Sequence, residues 1–174
     1  LESVAETSEE LLDLYLSGEE IPEETVKTSL RTGIMNGELT PVIVGSATKT
    51  IGVRTLLNML IDYLPAPDEL SPLVGKDAKT GEEITRLTHD DEPFSAYVFK
   101  TTVDPFLGAI NIMKINSGTL SNGQEVVITN KGESKKLTNL FSVRGKSQLA
   151  CDLYHAGDMA AVAKIDGIET GDTL

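Results

Sequence analysis

Phe94-Ser95-Ala96-Tyr97-Val98-Phe99-Lys100-Thr101 decides the fold of the larger part of this chain. The stretch alternates loosely and is rich in aromatic and β-branched residues, which suit a half-buried strand. Similar runs follow at Ala109 to Ile115, Val126 to Ile128, Leu137 to Val143 and Met159 to Ile165. Turn dipeptides punctuate them: Asp104-Pro105, Ser117-Gly118, Asn122-Gly123, Lys131-Gly132 and Ala156-Gly157-Asp158. Short strands with regular turns and no helical spacing predict a small all-β barrel over 94–174.

Working outward, residues 65–93 hold Pro65, Pro67, Pro72, Gly75, Gly81 and Pro93 among polar residues, and read as a linker. Lys76 to Arg86 is compatible with a hairpin around Thr80-Gly81. Residues 1–64 read differently. Pro41-Val42-Ile43-Val44 is a short, wholly apolar run that predicts a strand buried on both faces, as in a parallel sheet. After a small-residue loop, Val53, Leu56, Leu57, Leu60, Ile61 and Leu64 recur at helical spacing, and Pro65 and Pro67 end the helix. This is one α/β unit without sheet neighbours. Before it, Leu1, Val4, Leu11, Leu12, Tyr15 and Leu16 predict an amphipathic helix stopped at Gly18, and Pro22-Glu23-Glu24 starts a second one running to about Gly33. Leu1 falls inside a helical pattern, and Thr170-Gly171-Asp172-Thr173-Leu174 reads as a turn entering another strand. Both ends read as cut points, so the chain is expected to be a piece of a longer protein.

The chain carries 27 acidic and 15 basic residues, a net charge of −12, unevenly spread. Residues 1–93 hold 19 acids and 7 bases, whereas 94–150 hold 3 acids and 7 bases. A basic block inside an acidic chain bears more on partners than the overall charge does, the alternative being a randomly uneven surface. The lone Cys151 makes no internal disulfide, which fits a reducing, cytoplasmic setting. No apolar run approaches the roughly 20 residues that span a bilayer, so no membrane partner is expected.

No complete catalytic site is legible. Lys49-Thr50 ends like a P-loop, but Ile43 and Thr48 stand where its glycines belong. His89-Asp90-Asp91-Glu92 reads as a solvated charge run, since consecutive residues point in different directions. Cys151 and His155 lack the second pair a zinc site needs, and Cys151 reads as a small buried residue. No metal site is expected. Gly45-Ser46-Ala47 is the sharper signal, because a loop at the carboxyl end of a buried parallel strand is where α/β folds bind ligands.

The context of that tripeptide carries a resemblance. Pro41 to Ala47, Lys49, Gly52-Val53, Leu56-Leu57 and Asp62-Tyr63-Leu64-Pro65-Ala66-Pro67 resemble the end of the GTP-binding domain of translation elongation factor G. Gly18-Glu19-Glu20-Ile21 and Glu23-Glu24 upstream are similar too. Asp91-Glu92-Pro93-Phe94, Phe99-Lys100-Thr101, Asp104 to Gly108, Ser117 to Leu120, Gly123, Lys131-Gly132, Ala156 to Asp158 and Thr170 to Leu174 follow the order of that family's second domain. Ile112 to Asn116 and Ser142 to Gln148 look more like the divergent elongation-factor-G-like paralogues.

The resemblance implies three parts: residues 1–64 as the carboxyl-terminal part of a P-loop GTPase domain, 65–93 as a linker, and 94–174 as a translation-factor-type β-barrel. It implies guanine contact through Gly45, Ser46 and Ala47, with Lys49 lining the base pocket. No Mg²⁺ ligand, phosphate loop or switch is matched, so this chain is not expected to be an enzyme and holds no cofactor. The parent is expected to be a GTPase using GTP, GDP and Mg²⁺. Its barrel is expected to pack on the rest of the parent chain and to touch small-subunit ribosomal RNA. The candidate RNA contacts are Lys100, Lys114, Lys135, Lys136, Arg144 and Lys146, with Lys131 in the same basic block. One rival is a non-catalytic adaptor barrel from a release-factor or ribosome-protection GTPase. Another is an acidic scaffold that makes no RNA contact.

Overall fold

The computed structural model describes every residue except Ala78 and Lys146. The chain forms two compact units, Leu1–Ala66 and Pro67–Leu174.

The first unit is helical: α1 (Glu2–Ala5), α2 (Glu9–Ser17), α3 (Glu23–Met35) and α4 (Val53–Tyr63). The single helix expected over 1–16 is therefore two. Thr7 turns its hydroxyl back onto the Val4 carbonyl at 2.7 Å, and Ser8 is extended before Glu9 and Glu10 start the next helix. Gly18 ends α2 in the left-handed conformation, where glycine carries no Cβ penalty. Lys27 pairs with Glu23 and Glu24 along α3, the short-range pairing that supports an exposed helix face.

The buried strand expected at Pro41–Val44 is not present. Val42 and Val44 are exposed, and the nearby pairing among the described residues is a single bridge between Ser46 and Ile51. A strand needs neighbours for its backbone groups, and no described segment of this unit supplies them. The apolar stripe of α4 is open for the same reason: Leu56, Leu57, Leu60 and Ile61 are all exposed.

The second unit is β-rich. One 3₁₀ turn (Pro67–Glu69) leads into a hairpin of β1 (Leu73–Lys76) and β2 (Glu83–Arg86) within the segment read as a linker. Then come β3 (Ser95–Asp104), β4 (Gly108–Ser117), β5 (Leu120–Ser121), β6 (Glu125–Ile128), β7 (Glu133–Lys136), β8 (Phe141–Arg144), β9 (Ser147–Ala150), β10 (Leu153–Tyr154) and β11 (Met159–Ala163). Five of them form an antiparallel sheet in the order β3-β4-β11-β8-β9, and β6-β7 and β5-β10 pair separately.

The ladders do not close into one continuous barrel. Residues 171–174 partly fill the gap by bonding β3 on one side, through Ala96 and Val98, and Thr129 at the end of β6 on the other. The strand expected over Leu137–Val143 begins only at Phe141. Its first part, Leu137 and Leu140, is fully buried outside any ladder, and the partner of β6 is instead the charged run Glu133–Lys136.

Alternation places Ala96 and Val98 of β3, Met113 and Ile115 of β4, and Ala160 and Val162 of β11 inside, packed with Leu120, Ile128, Leu137 and Leu140. Each fully buried large apolar side chain contributes about 1.5–3 kcal/mol. Gly118 sits where chain segments cross: a Cβ there would lie 2.6 Å from the Glu92 carbonyl oxygen and 2.7 Å from the Phe94 backbone. Only glycine lets the β4–β5 turn lie against the chain that enters β3.

Candidate nucleotide loop and candidate RNA-facing surface

The loop Gly45 to Gly52 is built by its two end glycines. A Cβ on Gly45 would sit 2.7 Å from the Ile51 carbonyl oxygen, and one on Gly52 would sit 2.9 Å from that of Val44. The neck is therefore closed by backbone against backbone. Ser46 and Ile51 exchange N–H···O bonds of 2.9 and 3.0 Å, and the Thr50 N–H reaches the Ala47 carbonyl at 3.2 Å. Thr50 adopts φ +56° to close that turn.

This geometry separates the residues read as a guanine contact. The N–H of Ser46 is taken by Ile51, and its hydroxyl lies 3.4 Å from that of Thr48. Ala47 and Lys49 are exposed at the loop tip, and the Ala47 N–H has no acceptor among the described residues. The Thr48 and Lys49 N–H groups likewise have no acceptor among the described residues, so the loop tip presents unpaired amides beside small side chains.

The basic residues fall into distinct settings. Lys131 is exposed but committed to partners within the chain: its ammonium donates to Asp172 at 2.9 Å and to the Gly167 carbonyl at 2.8 Å. The Asp172 carboxylate is buried and also accepts Asn130 Nδ2 at 2.8 Å and the Glu169 N–H at 2.7 Å. Burial by itself raises the Asp172 carboxyl, but the bonds from Asn130, Lys131 and Glu169 outweigh it and hold it below the ordinary value. The Asp172 bond in turn raises Lys131 above the usual lysine value. Lys135 pairs with Glu133 at 3.0 Å, and Lys136 stands opposite Glu125 across the β6–β7 ladder. Arg144 is exposed at the end of β8, beside the turn to β9. Lys146 lies outside the described residues.

Lys100 and Lys114 share the outer face of the five-stranded sheet, which could not be read from their spacing. Strict alternation from Ala96 and Val98 turns Lys100 toward the core. A bulge intervenes: Val98 pairs with Met113 but Lys100 pairs with Ile112, so Phe99 is the extra residue and Lys100 is re-aimed outward. Tyr97 stands directly opposite Lys114, and Lys114 opposite Met159.

One titratable pair lies at the β10–β11 turn of the β-rich unit. Asp90 accepts the Ala156 N–H at 2.9 Å and meets His155 Nδ1 at 2.6 Å. Those two contacts, the amide first, hold the Asp90 carboxyl below its ordinary value. They join residues 88–91 to the β10–β11 turn. No group of three or more His, Cys, Asp or Glu among the described residues is placed to hold a metal ion. Cys151 is half-buried against the main core and points its thiol at the Leu153 carbonyl.

Comparison with known proteins follows the same division. Residues 93–174 match the family model of elongation factor G domain 2. The crystal structure of a Thermus thermophilus protein is similar over 99% of this chain, at 31% sequence identity and a TM-score of 0.72. The match covers 23% of that protein, so this chain spans under a quarter of its relative's length. In the β-rich unit the matched segment opens at Pro93, where the chain enters β3, and ends with residues 171–174 bonded back onto that strand. Residues 93–174 therefore form a second domain of the elongation factor G type.

Proposed function

We propose that this chain is part of a ribosome-dependent GTPase of the elongation factor G type, working in the cytoplasm, and that its β-rich unit is the part that touches small-subunit ribosomal RNA. The observation that carries the reading is the family match over 93–174, a segment whose strands hold few acids in an otherwise acidic chain. Phosphate contact by lysine and arginine is sequence-independent and weakens with salt.

GTP, GDP and Mg²⁺ belong to the parent. When a guanine nucleotide is bound there, the free Ala47 N–H and the Ser46 hydroxyl would meet one edge of its base, with Lys49 beside it. The chemistry of phosphoryl transfer rests on positioning and charge stabilisation at the phosphates, for which this chain has no residues. Alone, it binds and hydrolyses no GTP. Among the described residues no helix is long and apolar enough to cross a membrane.

The test is co-sedimentation of the 174-residue chain with isolated small ribosomal subunits across a salt series. The expected outcome is binding whose log–log salt slope corresponds to about two or more phosphate contacts, at roughly −0.9 or less each. Binding indifferent to salt, or none at low salt, overturns the RNA reading. Micromolar GTP affinity in calorimetry overturns the assignment of nucleotide chemistry to the parent.

A further inference from the structure

The outer face of the β3-β4-β11-β8-β9 sheet has a composition unlike the rest of the molecule. The chain as a whole holds 27 acids against 15 bases. The five strands hold a single acid, Asp104, which lies at the β3–β4 tip and spends its carboxylate on the N–H groups of Phe106 and Leu107. The same strands hold Lys100, Lys114 and Arg144. Two of those bases, Lys100 and Lys114, stand outward on neighbouring strands, and neither makes an ion pair among the described residues.

Aromatic rings accompany them. Tyr97 and Phe99 remain 43% and 39% exposed, although the residues between and beside them, Ala96 and Val98, are wholly buried. Tyr97 lies directly across the ladder from Lys114, a spacing of about 5 Å between Cβ atoms. Phe99 is the bulge residue next to Lys100. Beneath and beside them Ile110, Phe141 and Ala161 form a second apolar cluster that supports the sheet from outside the main core. A sheet whose one acid lies at its tip, with half-open rings set among lysines, has the two parts that unpaired nucleic acid needs. The rings offer faces for bases and the ammonium groups meet phosphates.

We infer that this face is an RNA-stacking platform, with Tyr97 and Phe99 receiving unpaired bases of ribosomal RNA and Lys100 and Lys114 the adjoining phosphates. The inference rests on the small-subunit reading above and names the surface and the chemistry. It assigns the β6–β7 hairpin a lesser role. There Lys135 is paired with Glu133, Lys136 faces Glu125, and no exposed aromatic is present on the two strands. The β-bulge is the device that makes the platform, because it brings Lys100 to the side of the sheet that carries Tyr97.

The test uses the whole chain and purified small ribosomal subunits. Tyr97→Leu with Phe99→Leu keeps the apolar character and removes the rings. It is expected to weaken binding about 10-fold or more, since one base–ring stack is worth roughly 5- to 100-fold. Lys100→Gln with Lys114→Gln is expected to weaken binding and reduce the salt slope by about 1.5. Lys135→Gln with Lys136→Gln is expected to change affinity less than about 2-fold, since Lys135 is paired with Glu133 and Lys136 stands opposite Glu125. Because the chain has no tryptophan, Tyr97→Trp provides a reporter whose fluorescence is expected to be quenched by the subunits. That reading does not depend on an affinity loss that misfolding could imitate.

Three outcomes overturn the inference. If the hairpin pair abolishes binding while both face pairs leave it intact, the platform is wrong and the RNA reading stands. If the lysine pair matters but the leucine pair and the indole fluorescence of the Tyr97→Trp variant are silent, the partner is an acidic protein surface rather than stacked RNA. If the unaltered chain shows no salt-dependent binding, the small-subunit reading has failed and the platform falls with it.

Discussion

Asp172→Asn tests the clasp that holds residues 171–174 against β3. The carboxylate is 3% exposed; one oxygen accepts Asn130 Nδ2, and the other accepts Lys131 Nζ and the Glu169 N–H. An asparagine has one oxygen to offer. Turned toward Lys131 and Glu169, it keeps both of those bonds, and Asn130 can reverse its own amide to restore the third. The geometry therefore survives, and the loss is the charge assistance of two bonds. Charged hydrogen bonds contribute about 1.5–3 kcal/mol and neutral ones about 0.5–1.5, so the substitution costs about 2 kcal/mol. With m near 1–1.5 kcal/mol/M in urea, the midpoint for the β-rich unit falls by roughly 1.5 M. The assay is urea unfolding followed by far-UV circular dichroism at pH 7. Titration adds a second reading. The Asp172 carboxyl lies below its ordinary value in the folded protein, so its contribution is present above about pH 4 and is lost as pH falls through the folded value. Lys131 is raised, so its contribution is present below about pH 10 and lost as pH rises through its folded value. The gap between native and variant therefore narrows on acidification. An unchanged midpoint at pH 7, or a gap constant down to pH 3, refutes the reasoning.

Two further substitutions probe the rest of the molecule. Gly52→Ala forces a side chain against the Val44 carbonyl at a position with φ +76°, so the loop neck opens. Amide hydrogen exchange at Ser46 and Ile51 is expected to speed up about 10-fold, the equivalent of about 1.4 kcal/mol, and unchanged protection sinks the account of the neck. Met113→Ala empties a fully buried position at the centre of the β-rich core and is expected to cost about 3 kcal/mol in thermal or urea unfolding. A loss under 1 kcal/mol shows that the core collapses into the space.

Much of the β-rich unit was legible. The strands at Phe94, Ala109, Val126 and Met159 fall where alternation placed them, because inward positions must be apolar and outward ones need not be. The turn at Ser117-Gly118 was legible because a left-handed, crowded position admits glycine alone. Glu133–Lys136 escaped notice because a hairpin strand with both faces near water has no apolar signature. Leu137 and Leu140 misled because burial came from loop packing rather than a ladder.

The candidate sites divide in the same way. Ser46, Ala47 and the surplus of bases over 94–150 can be read from the chain alone, since small residues after an apolar run and local charge are properties of neighbours in sequence. Which amides of the loop stay free, and which lysines are already paired, depends on contacts between residues far apart, as Lys131 with Asp172 shows. One extra residue at Phe99 decides whether Lys100 faces the core or the surface, and alternation gives no warning of it. The sequence by itself determined the order of strands, the turns and the local surplus of positive charge. Only the tertiary structure decided which face presents that charge beside exposed rings, because a bulge is set by pairing across the sheet and not by the strand that contains it.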